Sequence, residues 1–318
     1  MVRSFRASLS DALIQAAEKN PELVVLNADC ARALSLKKFG EKFPDRMICV
    51  GISEADMLST AAGLSTTGII PVVVGFSMFV TEKPFEQIRQ SIAYPHLNVK
   101  IIATHAGLCV GKDGATHQIL EDLAIMRTLP GFKIFVASDV SETASCISEM
   151  IAHDGPAYLR LGRDLAEDIF EENKKVVSGG SDLLRDGKDV AIIACGLMVE
   201  QALKAAVLLE EEGISASVIN AYSIKPIDEK TILSQAEKTE SVVTVEDHSV
   251  IGGLGGAVSE FLSSIHPIHM EFIGIKDTFG ESGDQEELYE KYGLTANHIA
   301  EASKKVIRRK KASGGVKA

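Results

Sequence analysis

The sequence predicts an α/β protein of two doubly wound units, the first with a mostly parallel sheet and the second a smaller α/β domain. Three observations lead there. Short, near-continuous apolar runs alternate with helical stretches through the first half of the chain, as in strands buried on both faces of a parallel sheet. The same alternation resumes after a polar interval, near residue 190. And 318 residues exceed the roughly 250–300 at which single hydrophobic cores stop growing.

Taken in order, the strand candidates of the first unit are residues 23–26, 47–50, 69–74, 99–103, 133–136 and 157–161. After the second of these, Ser53 and Asp56 have the spacing of a capping box and predict a helix start. The stretch 75–89 is interrupted by Pro84 and reads as a loop presenting Phe76 and Phe79. Residues 119–128 predict a helix, with Leu120, Leu123, Ala124 and Arg127 at helical spacing. From Asp164 to about Lys188 the chain turns polar (Glu167, Asp168, Glu171, Glu172, Lys174, Lys175, then Ser178 to Ser181). Such a composition shift marks a domain boundary. The expected division is therefore 1–175, a linker at 176–187, a second domain at 188–303 and a frayed basic tail at 304–318. Strands of the second domain are expected at 190–194, 216–219, 241–245 and 269–273, with a helix over 199–213 closed by Gly213.

A hydrophobic content of 46% with 24% charged residues is that of an ordinary globular protein. The net charge of −11 argues against a nucleic-acid partner. No run of about 18 apolar residues predicts a membrane span, and the first residues lack the apolar core of a signal peptide. A cytoplasmic location is therefore expected. Cys30, Cys49, Cys109, Cys146 and Cys195 stand singly, without metal-type spacing. Cys30, Cys49 and Cys195 adjoin strands and read as buried fillers in a reducing compartment. Cys109 falls in a loop where exposure is expected.

Two glycine-rich stretches fail as nucleotide motifs. A G-x-G-x-x-G pattern begun at Gly253 meets Val258 where its third glycine belongs. Gly107 to Lys112 is one residue short of a phosphate loop, and Asp113 replaces its hydroxyl residue. No metal-ligand set is read in this chain.

The chemistry concentrates between Thr104 and Gln118, where His105, Asp113 and His117 share a glycine-rich loop after a buried strand. In open α/β sheets, ligands bind beyond the carboxyl ends of the strands. Glu54 follows another strand and points to the same crevice. There it is either a favourable first-turn charge or a carboxyl set to hydrogen-bond a ring nitrogen. Phe76 and Phe79 are either core residues or a surface on which a flat heterocycle stacks.

These segments resemble the transketolase family. Gly51-Ile52-Ser53-Glu54-Ala55-Asp56-Met57 is similar to the pattern in which a glutamate contacts the aminopyrimidine of thiamine diphosphate. Phe76 and Phe79 match its aromatic pyrimidine pocket. Thr104-His105 and Gly111-Lys112-Asp113-Gly114-Ala115-Thr116-His117-Gln118 resemble its substrate motifs. The likeness continues through Met126 to Pro130, Leu161-Gly162-Arg163 and Glu246-Asp247-His248-Ser249.

The resemblance implies that Glu54 hydrogen-bonds the pyrimidine ring, that Phe76 and Phe79 hold it, and that Ile52 is an apolar wedge beneath the cofactor. It implies that His105, Asp113 and His117 line the sugar channel, with His117 and His105 serving in proton transfer and hydrogen bonding. Arg163 matches a phosphate-binding arginine, with Lys83 as a supplement and Arg6 as a further contact. The family's Gly-Asp-Gly motif for diphosphate and Mg2+ is absent from this sequence. The chain therefore resembles the C-terminal subunit of a split, two-component transketolase. Its implied partner is an N-terminal subunit carrying the diphosphate and Mg2+ site, in an α2β2 assembly. The implied reaction moves a two-carbon ketol unit between sugar phosphates. Two alternatives stay open: a subunit of another thiamine-dependent enzyme (a 2-oxoacid dehydrogenase beta subunit or a deoxyxylulose-phosphate synthase relative), or a non-catalytic subunit of the same fold.

Overall fold

The computed structural model describes residues 2–163, 165–171 and 174–314. Asp164, Glu172 and the last four tail residues, all within the expected boundary or tail segments, lie outside the described residues. The strands are β1 (Val2–Ser4), β2 (Leu23–Asn27), β3 (Met47–Cys49), β4 (Ile70–Phe76), β5 (Lys100–Thr104), β6 (Lys133–Val136), β7 (Ala157–Arg160), β8 (Leu165–Glu167), β9 (Asp182–Arg185), β10 (Val190–Ala194), β11 (Ala216–Asn220), β12 (Ser223–Lys225), β13 (Ser241–Ser249) and β14 (His269–Ile275).

The first sheet has the order β12-β6-β7-β5-β4-β2-β3. All its pairings are parallel except β12 against β6. Parallel neighbours need helical crossovers, which cover both faces. The core divides accordingly, Leu26, Val73 and Ile101 facing one layer and Val25, Val74 and Ile102 the other. The second sheet has the order β14-β13-β10-β11-β9, with β9 its antiparallel edge. The helices Met198–Glu211 and Ala296–Gly314 pack on one of its faces through Ala202, Ala206, Leu209, Ile299 and Val306. No helix among the described residues is long and apolar enough to cross a membrane.

Several expectations are corrected. The 176–187 interval is not a bare linker, because β9 lies in it and caps the second sheet. The second unit also lends β12 to the first sheet, and Lys225 Nζ donates to the carbonyls of Arg127 and Leu129 at 2.7 and 2.5 Å. The tail does not fray at residue 304; the helix Ala296–Gly314 runs through it. Val306 is fully buried, and Lys305 and Arg309 pair with Glu271 at 2.9 and 2.6 Å, so the basic face is held in place. Cys49 is exposed and Cys30 half-buried, whereas Cys109 is buried and its thiol donates to the Ala106 carbonyl.

Candidate active site

The carboxyl ends of β3, β4, β5 and β7 lie at one end of the first sheet, since their pairings are all parallel. β2 lies between β3 and β4, so successive strands are laid down on opposite sides of it. Crossover connections that diverge in this way open the crevice where α/β proteins bind ligands.

Glu54 is the first residue of the helix Glu54–Ser65 and is only 4% exposed. The expected capping box does not form: the Ser53 hydroxyl makes no cap bond. Instead the Glu54 carboxylate receives Lys83 Nζ at 2.6 Å on Oε2. Burial of a charge requires such a partner. Lys83 was expected beside Arg163 as a phosphate ligand, and the structure places it on Glu54. Ile52, by contrast, is 77% exposed on the approach to that helix.

Phe76 ends β4 and Phe79 sits in the short helix Ser77–Thr81, so the expected loop is regular structure on both sides of the strand end. Their ring centroids are 6.2 Å apart. Phe76 lies 4.1 Å from the His105 ring, and Phe79 meets the His117 ring edge-on at 5.2 Å. The four rings bring the β4 end and the two ends of the histidine loop into one wall.

His105 follows β5 with φ +57°, a left-handed conformation uncommon for residues other than glycine. Its Nδ1 is 2.7 Å from Thr104 Oγ1, which leaves Nε2 for another partner. Burial pushes the imidazole down to about 3, aided by the Arg163 and Arg6 guanidiniums. His105 is therefore neutral at physiological pH. His117 is half-buried, with Thr116 Oγ1 at 3.0 Å from its Nδ1. Arg163 pairs with Asp113 at 3.2 Å and donates to the Val110 carbonyl. A guanidinium carries five donors in a planar fork, the geometry that suits a carboxylate or a phosphate.

The loop itself is held from the second domain, through the Glu246-Asp247-His248-Ser249 segment. Asp247 of β13, fully within the strand, accepts the backbone amides of Leu108 and Cys109 at 2.8 and 3.3 Å and the Tyr289 hydroxyl at 2.9 Å. Burial raises the Asp247 carboxyl, opposed chiefly by Arg160. Gly107 makes this approach possible: at φ +86° it has room for no Cβ, which would lie 2.4 Å from Asp247 Oδ2. Gln118 Nε2 closes the other end by donating to the carbonyls of Gly111 and Glu281 at 3.1 and 2.9 Å. Loop residues 108–113 form a kinked 3-10 turn, and the helix expected from 119 begins at Asp122.

Beneath the aromatic wall, Asp122 is fully buried and accepts Arg160 Nε at 2.9 Å, Tyr158 OH at 2.7 Å and Ser77 Oγ at 3.2 Å. Burial alone raises its carboxyl, but Arg160, His248 and the two hydrogen bonds outweigh it and hold it below the usual range. Arg160 also donates to the Asp247 carbonyl at 2.8 Å. One buried network thus joins the Phe76–Phe79 segment to the strand that anchors the loop.

The strand ends thus present a buried carboxylate, two phenyl rings and two imidazoles, with Arg163 paired to Asp113 in the same loop region. That donor set fits the pyrimidine half of thiamine diphosphate. Comparison with known proteins agrees. The description "Transketolase, pyrimidine binding domain" matches residues 2–168, and "Transketolase, C-terminal domain" matches residues 179–299. A 6-deoxy-6-sulfo-D-fructose transketolase subunit of Clostridium sp. is 41% identical over 96% of this chain and 95% of its own length. A putative transketolase C-terminal section of Methanocaldococcus jannaschii is 43% identical over 94% of each. A solved structure described as "Split gene transketolase, inactive beta4 tetramer" superposes with a TM-score of 0.91 at 43% identity, over 96% of this chain and 99% of that one.

Proposed function

This chain belongs to the transketolase family, as a C-terminal subunit of the split type, and from that premise we propose that it transfers a two-carbon ketol unit from a ketose phosphate to an aldose phosphate. Thiamine diphosphate is held between this chain and a separate N-terminal subunit, which supplies the diphosphate and Mg2+ ligands, in an α2β2 assembly. The observation that carries the reading is the wall of Phe76, Phe79, His105 and His117 rings beyond β4 and β5, at the same end of the parallel sheet as the buried Glu54 after β3. The relative described as an inactive β4 tetramer supports the need for a second kind of subunit.

When bound, thiamine diphosphate supplies the nucleophilic carbon and electron sink for breaking the bond next to a ketone. This chain's residues orient it and control protons. Glu54 would hydrogen-bond the pyrimidine ring nitrogen, Phe76 and Phe79 would hold the ring, and Ile52 would supply an apolar wedge to the cofactor. His105, held neutral, hydrogen-bonds substrate oxygens through Nε2 without carrying charge. His117, less buried, moves a proton at the ketol end. Asp113 accepts a sugar hydroxyl, and the Arg163 guanidinium beside it recognises the phosphate with the planar fork suited to that group.

The test is co-expression of this chain with an N-terminal transketolase subunit that carries the diphosphate-binding domain. The complex is then incubated with thiamine diphosphate, Mg2+, a ketose phosphate and an aldose phosphate, with a 6-sulfo ketose in a parallel arm. Products lengthened by two carbons in the phosphate arm support the reading. Turnover only in the sulfonate arm, or only with a 2-oxoacid, rules out the proposed substrate class.

A further inference from the structure

The Lys83–Glu54 pair is unequal. The Glu54 side chain is 5% exposed and the Lys83 side chain 54%, with 2.6 Å between Nζ and Oε2. The carboxylate is fixed at the start of a helix and the ammonium reaches it from the solvent side, on a turn broken by Pro84. A carboxylate so far removed from water needs a donor beside it. A half-exposed lysine gains little from the contact, because leaving returns its ammonium to water. The pair is therefore needed by Glu54 and easily given up by Lys83. Once its ring nitrogen carries a proton, the pyrimidine is a donor like the ammonium, and the two compete for the same carboxylate lone pairs and the same negative charge.

We propose that Lys83 is a displaceable latch on Glu54: it occupies the carboxylate while the site holds no cofactor, gives it up to the aminopyrimidine, and so sets cofactor affinity as a positioning residue. This rests on the function proposed above, in which Glu54 contacts the cofactor. The ion pair must open each time the cofactor binds, so removing the ammonium tightens binding. A side chain that merely supported the fold would shift affinity whether or not the carboxylate were present.

Isothermal titration of thiamine diphosphate and Mg2+ into the assembled two-subunit protein separates these cases without reading activity. Lys83→Met is expected to bind cofactor ~2–5-fold more tightly than wild type, the size of a partly exposed ion pair. Lys83→Arg, which keeps a cation there, is expected to stay near wild type. Combined with Glu54→Ala, the Lys83→Met change is expected to vanish. Equal or weaker binding by Lys83→Met, or the same shift with and without Glu54, overturns the latch. Loss of affinity in Glu54→Ala with no gain in Lys83→Met overturns the latch and leaves the function standing. A wild-type complex that binds no thiamine diphosphate overturns both.

Discussion

The Asp247 carboxylate of the second domain accepts the backbone N–H of Leu108 at 2.8 Å, fixing the first turn of the loop that carries Asp113 and His117. The bond spans 139 residues of sequence, so the histidine loop of the first domain takes its shape from a strand of the second.

Asp247→Ala therefore strands two backbone amides and the Tyr289 hydroxyl. Hydrogen bonds to a charged group are worth about 1.5–3 kcal/mol each, so unfolding free energy is expected to fall by at least that much. In the assembled enzyme the sugar KM rises while thiamine diphosphate affinity, which depends on the β3 and β4 ends, stays close to wild type. Urea titration and steady-state kinetics check both. A rise in cofactor Kd as large as the rise in KM contradicts the division of labour.

Arg160 and Asp122 predict a larger stability effect. Their side chains are 7% and 0% exposed. Removing one partner of a buried pair costs about 3–5 kcal/mol, because the other charge is left without compensation. Arg160→Leu is expected to lose that much in equilibrium unfolding, and Tyr158→Phe less, about 1.5–3 kcal/mol, for its bond to the Asp122 carboxylate. Comparable losses in the two variants contradict the buried-charge account.

His105 sets a pH dependence. Burial, with Arg163 and Arg6 nearby, lowers the folded imidazole to about 3, against about 6.5 in an unfolded chain. Between those values the unfolded state binds a proton that the folded state refuses. The His105 contribution is thus fully present above about pH 6.5 and is lost as pH falls toward 3. His153, lowered by burial to about 4, acts in the same window, so the comparison must be with a variant. Between pH 7 and pH 5, wild type is expected to lose more stability than His105→Gln in urea unfolding. Equal losses contradict a neutral, buried His105.

Much of this was legible in sequence because it depends on local pattern. The apolar runs at 23–26, 99–103 and 190–194 became β2, β5 and β10 within a residue or so, since a strand covered on both faces must be apolar throughout. Partners distant in sequence were not legible. Nothing around Asp247 names Leu108, and nothing around Lys83 names Glu54. β12 has three residues, too few for periodicity to register. Phe76 and Phe79 read as loop because Pro84 follows closely, yet the regular structure ends before the proline acts. The basic run after Lys304 read as a tail because its charges dominate its composition. Its buried Val306 and the acidic Glu271 opposite make it a packed helix.

The most direct test of the account is turnover in a reconstitution of purified subunits with Glu54 intact or replaced. Neither this chain nor its partner alone is expected to transfer ketol units, while the mixture does so with thiamine diphosphate and Mg2+. The mixture containing Glu54→Ala is expected to assemble normally and to turn over slower by ~10²–10⁴-fold, the range for losing a positioned proton-handling group. Turnover by this chain alone, or unchanged turnover in the Glu54→Ala mixture, contradicts a site that Glu54 completes between two chains.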